Sequence, residues 1–321
     1  MKLNAFITGG GGDVSSGIID CLRRADLDID IFIGSSTLEI PEKYLGEKVI
    51  ELPLVEDESY ISTLTKSLKN LDIDLFIPAI DSEISKVAER KDEIEKNGSV
   101  KVCVCNIEMA KIFSDKYETY VFLKKNGFPV PRTELLDSRT LEFFLKAVDF
   151  PFIAKPRSGG GSLGVIEVTN SENLQAIIDL PGYVIQEKLS TSIGEYTAGF
   201  YLGIDLEVKG LCVLERILRK GSTMYAERIF NSEIEEQLER LIVMMNISHG
   251  NIQFTIENGL VVPFEINPRF SGSTYIQREA FNGPEHYVRE RILGQRIEKQ
   301  KNSIPIRAVR RSNIEFLESQ I

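Results

Sequence analysis

At 321 residues, with 42% apolar and 27% charged residues, the chain can build two or three cores, and its composition excludes a disordered or fibrous protein. Its 38 basic residues against 48 acidic ones give a net charge of −10, which excludes an extended nucleic-acid surface because a phosphate backbone demands a basic footprint. A small anion held by a few local cations stays open. The four cysteines, Cys21, Cys103, Cys105 and Cys212, show no CxxC spacing, and two alternate inside the apolar run VKVCVC, which reads as a buried strand in a reducing compartment. The apolar stretch of MKLNAFIT is too short for a signal peptide, and no window approaches the roughly 20 apolar residues of a membrane span. The expectation is a cytoplasmic protein without a membrane partner.

The first elements alternate. A strand at 3–8 meets a glycine turn at 9–12, and Ile18, Ile19 and Leu22 lie on one face of a following helix. Strands follow at 29–34, 49–54, 74–79 and VKVCVC, with helices at 58–70 and 82–97 between them. Strands alternating with helices imply a parallel, doubly wound sheet over about the first 112 residues.

After it the pattern changes. A helix from Asp115 to Asn126 ends at Gly127, and two prolines hold FPVPRT extended. Two strands flank a glycine loop between Pro151 and Val168, a helix covers 171–179, and YVIQEKL is a strand. Alternating runs at 196–217 and 249–267 read as an antiparallel sheet. A helix at 231–246 between them carries Leu238, Leu241 and Met245 on one face. The helical stretch 284–294 is a candidate homodimer surface, although intramolecular cover is the plainer reading. The arginine- and lysine-bearing tail beyond 295 reads as a solvated segment, and no internal repeat is visible.

Three segments carry chemistry. Lys155 ends the apolar strand PFIAK beside Ser158-Gly159-Gly160-Gly161-Ser162, where amides without side chains in the way can close over phosphate oxygens. The lysine precedes the glycines, so this is not a Walker A loop. Glu265 and Asn267 are two apart on a strand and share a face, and a turn near Asn258-Gly259 puts Gln253 roughly opposite Glu265. Three oxygen donors can then converge on Mg²⁺, which needs only one or two carboxylates when phosphates supply the rest. Between these lie Gln186-Glu187-Lys188-Leu189 and Glu195, a strand end and a carboxylate suited to an adenine edge and ribose hydroxyls.

Other segments carry less. ITGGGGDVSSG has Ser15 where a dinucleotide fingerprint needs its third glycine, and Gly34-Ser35-Ser36 where it needs an acid, so a tight turn framing a cleft is preferred over an oxidoreductase. Arg216, Lys220 and Gly221-Ser222-Thr223 follow a long strand and are second-rank candidates for reaching the acceptor or a γ-phosphate. Asp81 and Glu83 follow a strand end where ligands bind, but helix capping by Asp81 or Ser82 explains them more simply. His249 reads as structural, and neither it nor His286 needs a catalytic role.

In order, Asp115-Lys116, the Lys155 strand and glycine loop, 186–195, NIQF at 251–254 and FEINPR at 264–269 resemble the ATP-grasp superfamily, in particular the branch of the carbamoyl phosphate synthase large subunit and amino-acid ligases. The resemblance implies an α/β and α+β fold, with a Rossmann-like preATP-grasp domain at 1–112 and a two-lobed ATP-grasp domain at 113–298. A glycine-rich lid at about 130–190 and a tail at 299–321 complete the division. It implies ATP with Mg²⁺, as two ions, with Mn²⁺ as an alternative. Lys116 and Lys155 would contact phosphates, with Ser158, Gly159, Gly160, Gly161 and Ser162 covering them. Glu187, Lys188 and Leu189 would meet adenine, and Glu195 ribose. Gln253, Glu265 and Asn267 would hold the metal, and Arg269, with Lys155, would serve catalysis.

The activity so implied is an ADP-forming carboxylate–amine ligase working through an acyl phosphate on small-molecule carboxylate and amine substrates. A nucleotide-binding sensor or subunit without turnover is the alternative. A full carbamoyl phosphate synthase large subunit has two such ATP-binding halves and this chain has room for one, so the resemblance speaks to ancestry before activity.

Overall fold

The computed structural model describes residues 2–96, 98–161, 163–189, 194–219, 221–300 and 304–311. Ser162 and Lys220 lie outside them.

The N-terminal part is a five-stranded parallel sheet. Leu3–Ile7 (β1) is buried along almost its whole length, as a strand covered on both faces must be. Asp13–Arg24 (α1) starts on an acid, ends on two arginines in accord with the helix dipole, and buries Ile18, Ile19 and Leu22. Ile29–Ser35 (β2), Pro41–Tyr44 (α2), Lys48–Glu51 (β3) and Tyr60–Asn70 (α3) follow. Leu75–Ile77 (β4), Asp81–Glu89 (α4), Lys91–Lys96 (α5) and Lys101–Val102 (β5) complete the unit.

The strand order is β3-β2-β1-β4-β5. The winding therefore reverses between β1 and β4, and the turns leaving those two strands, at Gly9–Gly12 and Pro78–Asp81, flank the crevice where such sheets bind ligands. The expected helix at 82–97 is broken at Arg90. The expected VKVCVC strand pairs over only two residues, although Cys103 and Cys105 beyond it are buried, as are Cys21 and Cys212, and all four are free thiols.

Ile107–Ser114 (α6) is capped by the Asn106 side chain, and Lys116–Lys125 (α7) by that of Asp115. A second, antiparallel sheet then forms from Thr133–Leu135 (β6), Phe152–Pro156 (β7), Ile166–Val168 (β8) and Tyr183–Glu187 (β9), in the order β6-β9-β7-β8. Ser138–Leu145 (α8) and Ser171–Ile177 (α9) cover one face of it. Phe144, Phe152, Val168, Leu174 and Ile185 give this sheet a small core of its own.

The third sheet is antiparallel, in the order β14-β13-β10-β11-β12-β15. Its strands are Glu195–Leu202 (β10), Val208–Arg219 (β11), Ser222–Arg228 (β12), His249–Glu257 (β13), Leu260–Asn267 (β14) and Arg307–Val309 (β15). Ser232–Met245 (α10) packs Leu238, Leu241, Ile242 and Met245 against it. Asn258 and Gly259 both take positive φ, the conformation that a two-residue hairpin turn requires, and the register puts Gln253 opposite Glu265. Thr274–Gln277 (α11) and Gly283–Tyr287 (α12), followed by a wide helical turn at Val288–Ile292, bury His286, Tyr287 and Val288. The stretch 284–294 is thus mainly internal cover.

The tail differs from the solvated segment read in the sequence, because Arg307–Val309 pairs with β12 and Ile306 is buried. One buried cluster runs from Phe6, Phe76 and Val87 through Phe113 and Leu123 to Phe200, Leu238 and Phe254, tying the first sheet to the third. No helix among the described residues is long and apolar enough to cross a membrane.

Candidate active site

Lys155 leaves β7 with its ammonium buried. Its Nζ donates to Gln186 Oε1 on neighbouring β9 at 2.8 Å, and Gln186 Nε2 donates to Thr133 Oγ1 at 2.8 Å. Burial pulls the Lys155 pKa down to about 8; the Glu265 carboxylate opposes that shift and the Lys116 cation adds to it. Groups from the second sheet, from α7 and from β14 therefore share one electrostatic neighbourhood.

The glycine loop is held down from several sides. Lys116 Nζ donates to Gly159 O at 2.6 Å, and the Lys116 amide to Arg157 O at 2.9 Å. Asp115 receives Arg157 Nε at 3.0 Å while capping α7 through Tyr117 N at 2.9 Å. Gly159 and Gly161 adopt φ of 96° and 67°, a region that glycine enters without strain. A side-chain carbon at Gly160 would collide with the Asp81 carboxylate, and one at Gly221 would come within 2.8 Å of Gly161 O.

On the opposite wall, Gln253 Nε2 and Asn267 Nδ2 each donate to Glu265 Oε1 at 3.2 Å. Gln253 Oε1 receives Arg216 Nη2 at 2.8 Å, and the same guanidinium donates to Glu195 Oε1 at 2.6 Å. A cleft of about 260 Å³ opens between these walls, lined by Asp81, Lys116, Ser158, Gly159, Glu265 and Asn267 among others.

One carboxylate flanked by two amides is an all-oxygen donor set that fits Mg²⁺. No group of three His, Cys, Asp or Glu side chains able to hold a metal occurs among the described residues, so phosphate oxygens and waters would have to complete the shell. Glu265 and Asn267 can turn their oxygens into the cleft, whereas Gln253 Oε1 can do so only by leaving Arg216.

Arg269, just beyond β14, spends its fork on Asp81, with Nε to Oδ1 and Nη2 to Oδ2 both at 2.6 Å, and Nη1 donates to Phe270 O at 2.8 Å. The helix-capping role read for Asp81 or Ser82 falls instead to Glu83. Its buried carboxylate accepts from Ala79 N at 2.7 Å and Ile80 N at 3.0 Å, and also from Thr8 Oγ1 and the Tyr60 hydroxyl. Burial holds the Glu83 carboxyl above the usual range.

The remaining candidates lie apart from the cleft lining. Glu187 accepts from Arg132 N at 3.1 Å, Lys188 pairs with Glu167 at 2.6 Å, and half-buried Leu189 lies two residues beyond the end of β9. Ser222 and Thr223 turn toward Asp13 and Ser273. His249 is buried against Phe270 with ring centres 4.4 Å apart, and burial presses its pKa to about 3, so it stays neutral and structural. Sequence reading missed the partnership of Gln186 with Lys155, although a lone amide in the apolar run YVIQ signals a buried group that must find a partner.

Comparison with known proteins agrees with this architecture. Residues 113–273, half of the chain, match the model of the ATP-grasp domain, and residues 21–103 match that of the PylC-like N-terminal domain. A carbamoyl-phosphate synthase from Methanobrevibacter smithii is 23% identical over 268 residues, covering 78% of this chain and 72% of that protein. The ADP complex of N5-carboxyaminoimidazole synthetase from Staphylococcus aureus superposes with a TM-score of 0.74 at 18% identity, covering 95% of this chain and 82% of the other. An L-amino acid ligase from Bacillus licheniformis gives a TM-score of 0.67 at 14% identity over 90% and 74% of the two chains. With an ATP-grasp match across half of its length and the fold of these enzymes throughout, the chain belongs to the ATP-grasp family of ligases.

Proposed function

We propose that the protein is an ATP- and Mg²⁺-dependent, ADP-forming ligase that joins a small carboxylate to an amine or related nucleophile through an acyl phosphate. The observation that carries this reading is that Lys116 and Glu265 line one cleft beside the glycine loop, with the buried Lys155 ammonium in the electrostatic reach of both. Two cations and a run of unobstructed amides suit a polyphosphate, and a facing carboxylate with its amides suits that polyphosphate's counterion.

In this reading residues 113–298 form the catalytic unit, with 130–190 as its lid over the nucleotide and 1–112 contributing the acceptor side. Lys155 and Lys116 neutralise the phosphate oxygens, and Lys155 must carry its proton to do so. Residues 158–162 exclude water from the transferring group. Glu187, Lys188 and Leu189 border the adenine, and Glu195 takes the ribose once Arg216 yields it. Glu265, Asn267 and Gln253 hold one or two Mg²⁺ ions, which when bound would neutralise charge developing on the phosphates. The substrate carboxylate attacks the γ-phosphate, ADP departs, and the nucleophile then displaces phosphate from the acyl group. Arg269 steadies the carboxylate and its acyl phosphate. Positioning and charge neutralisation suffice for such a transfer.

A screen of carboxylate and amine pairs for ADP release, with hydroxylamine present to trap the acyl phosphate as a hydroxamate, tests the proposal. ADP release with a confirmed pair, yielding neither hydroxamate nor amide, would exclude it. Binding of Mg-ADP without turnover for any pair would favour the sensor or subunit reading.

A further inference from the structure

Arg269 has its carboxylate-facing edge filled by a residue of its own chain. Nε and Nη2 both donate to Asp81 at 2.6 Å, in the two-bond geometry with which a guanidinium receives a carboxylate or phosphate. The capping box of α4 is made by Glu83, which receives the Ala79 and Ile80 amides just before the helix, and the Asp81 carboxylate takes no part in it. The same carboxylate lies against Gly160, where it leaves no space for a β-carbon, and it lines the cleft together with Ser158, Gly159, Glu265 and Asn267. Its position at the switch point of the first sheet brings it in from a different element of the fold than the arginine it binds.

We propose that Asp81 is a resident competitor for the substrate: its carboxylate occupies on Arg269 the place that the substrate's carboxyl or acyl-phosphate group takes during the reaction. This rests on the ligase reading above and deepens it. A fork closed by its own carboxylate is spared an unpaired buried charge while the site holds nucleotide alone. It opens only for an anion that replaces both bonds, and neutral molecules gain nothing from it. Because Gly160 rests on the same carboxylate, displacement of Asp81 also changes what the glycine loop closes against. Asp81 is thus a specificity residue that raises the concentration of substrate needed to engage Arg269, in the way any occupied competing state lowers apparent affinity.

Acetyl phosphate, a minimal acyl phosphate, is the probe. Its affinity is measured calorimetrically, with and without saturating Mg-ADP, for wild type, Asp81→Ala, Asp81→Asn, Arg269→Ala and the Asp81→Ala/Arg269→Ala pair. The proposal expects a gain of about tenfold in Asp81→Ala, a smaller gain in Asp81→Asn, and no gain whenever Arg269 is absent. A salt bridge with a merely structural role predicts lower melting temperatures and no gain. Equal or weaker acetyl phosphate binding in Asp81→Asn, folded by its melting curve, overturns the proposal. Failure of every protein, wild type included, to bind Mg-ADP overturns the ligase reading separately, since the nucleotide-free titrations still decide the role of Asp81.

Discussion

Lys155 and Gln186 meet at 2.8 Å on adjacent strands of the second sheet, so the buried ammonium has an amide oxygen for company and, among the described residues, no carboxylate in hydrogen-bond contact. A cation held this way is solvated by the protein without being neutralised. It keeps its charge for an arriving anion but surrenders its proton more readily than a surface lysine.

That balance makes nucleotide binding pH-dependent. With the Lys155 pKa near 8 in the free protein, the charged form that attracts phosphate dominates below about pH 7 and is lost as pH rises through 8. Affinity for Mg-ADP should be flat at the lower end and fall above pH 8. Calorimetry in buffers of different ionisation enthalpy should detect proton uptake on binding at about pH 8.5. Lys155→Met should bind weakly at every pH and take up no such proton.

Removing the partner should tell as well. Gln186→Leu leaves a buried donor group of Lys155 unsatisfied, which costs about 1–3 kcal/mol or more for a charged group, and it should push the lysine pKa lower still. Urea denaturation measures the first effect, and a shift of the binding profile toward lower pH measures the second.

Asp115 does two things at once, capping α7 and holding Arg157, and through them it seats Lys116 against Gly159. Asp115→Ala should cost about 1–2 kcal/mol of stability for the cap alone. It should also raise the KM for ATP, because Lys116 and the loop lose a shared anchor. Asp115→Asn, which can still cap, should restore most of the stability but less of the KM.

Glu265→Ala should abolish turnover while leaving the melting temperature of the ligand-free protein near that of wild type, since among the described residues this half-buried carboxylate meets two long amide contacts. Loss of a group that organises transition-state charge typically costs about 10²–10³ in kcat. Chelation of divalent ions should produce the same loss in wild type, reversible by added Mg²⁺. Full activity in Glu265→Ala would remove the basis for the metal assignment.

Closure of the glycine loop can be probed without touching a charged group. Gly221→Ala adds a carbon at φ 79° and presses on Gly161 O, and Gly160→Ala presses on Asp81. Both should slow turnover and make the loop a better protease target in the presence of Mg-ADP, with little change in global stability. Wild-type proteolysis patterns in both variants would argue that the closed arrangement is not the working one.

The hairpin that carries Gln253, Glu265 and Asn267 was legible because Asn258-Gly259 demands one turn geometry, which sets the pairing from Glu257–Leu260 to Phe254–Pro263; the bulge beyond it, which brings Gln253 opposite Glu265, carries no such local signal. The parallel sheet was legible from alternation of buried strands with helices. By contrast, α6 and α8 went unread because eight residues hold too few turns for a periodic signal, and only their caps, Asn106 and Asp137, announced them. The engagement of Asp81 with Arg269 joins positions 188 apart, and that of Arg216 with Gln253 joins positions 37 apart. Neither leaves a local trace, because charge pairing across a fold depends on topology that no neighbouring residue encodes.

Strand β15 has a consequence for any shortened form of this chain. Arg310, just past it, donates to Thr223 O, to Gly272 O and to Asp13, so the last described residues clasp the third sheet to the first helix. Cutting the chain before residue 304 would strip β12 of its neighbour and bare a row of backbone donors and acceptors that invites strand pairing between molecules. The segment that composition makes look most dispensable is the one that covers the outer edge of β12.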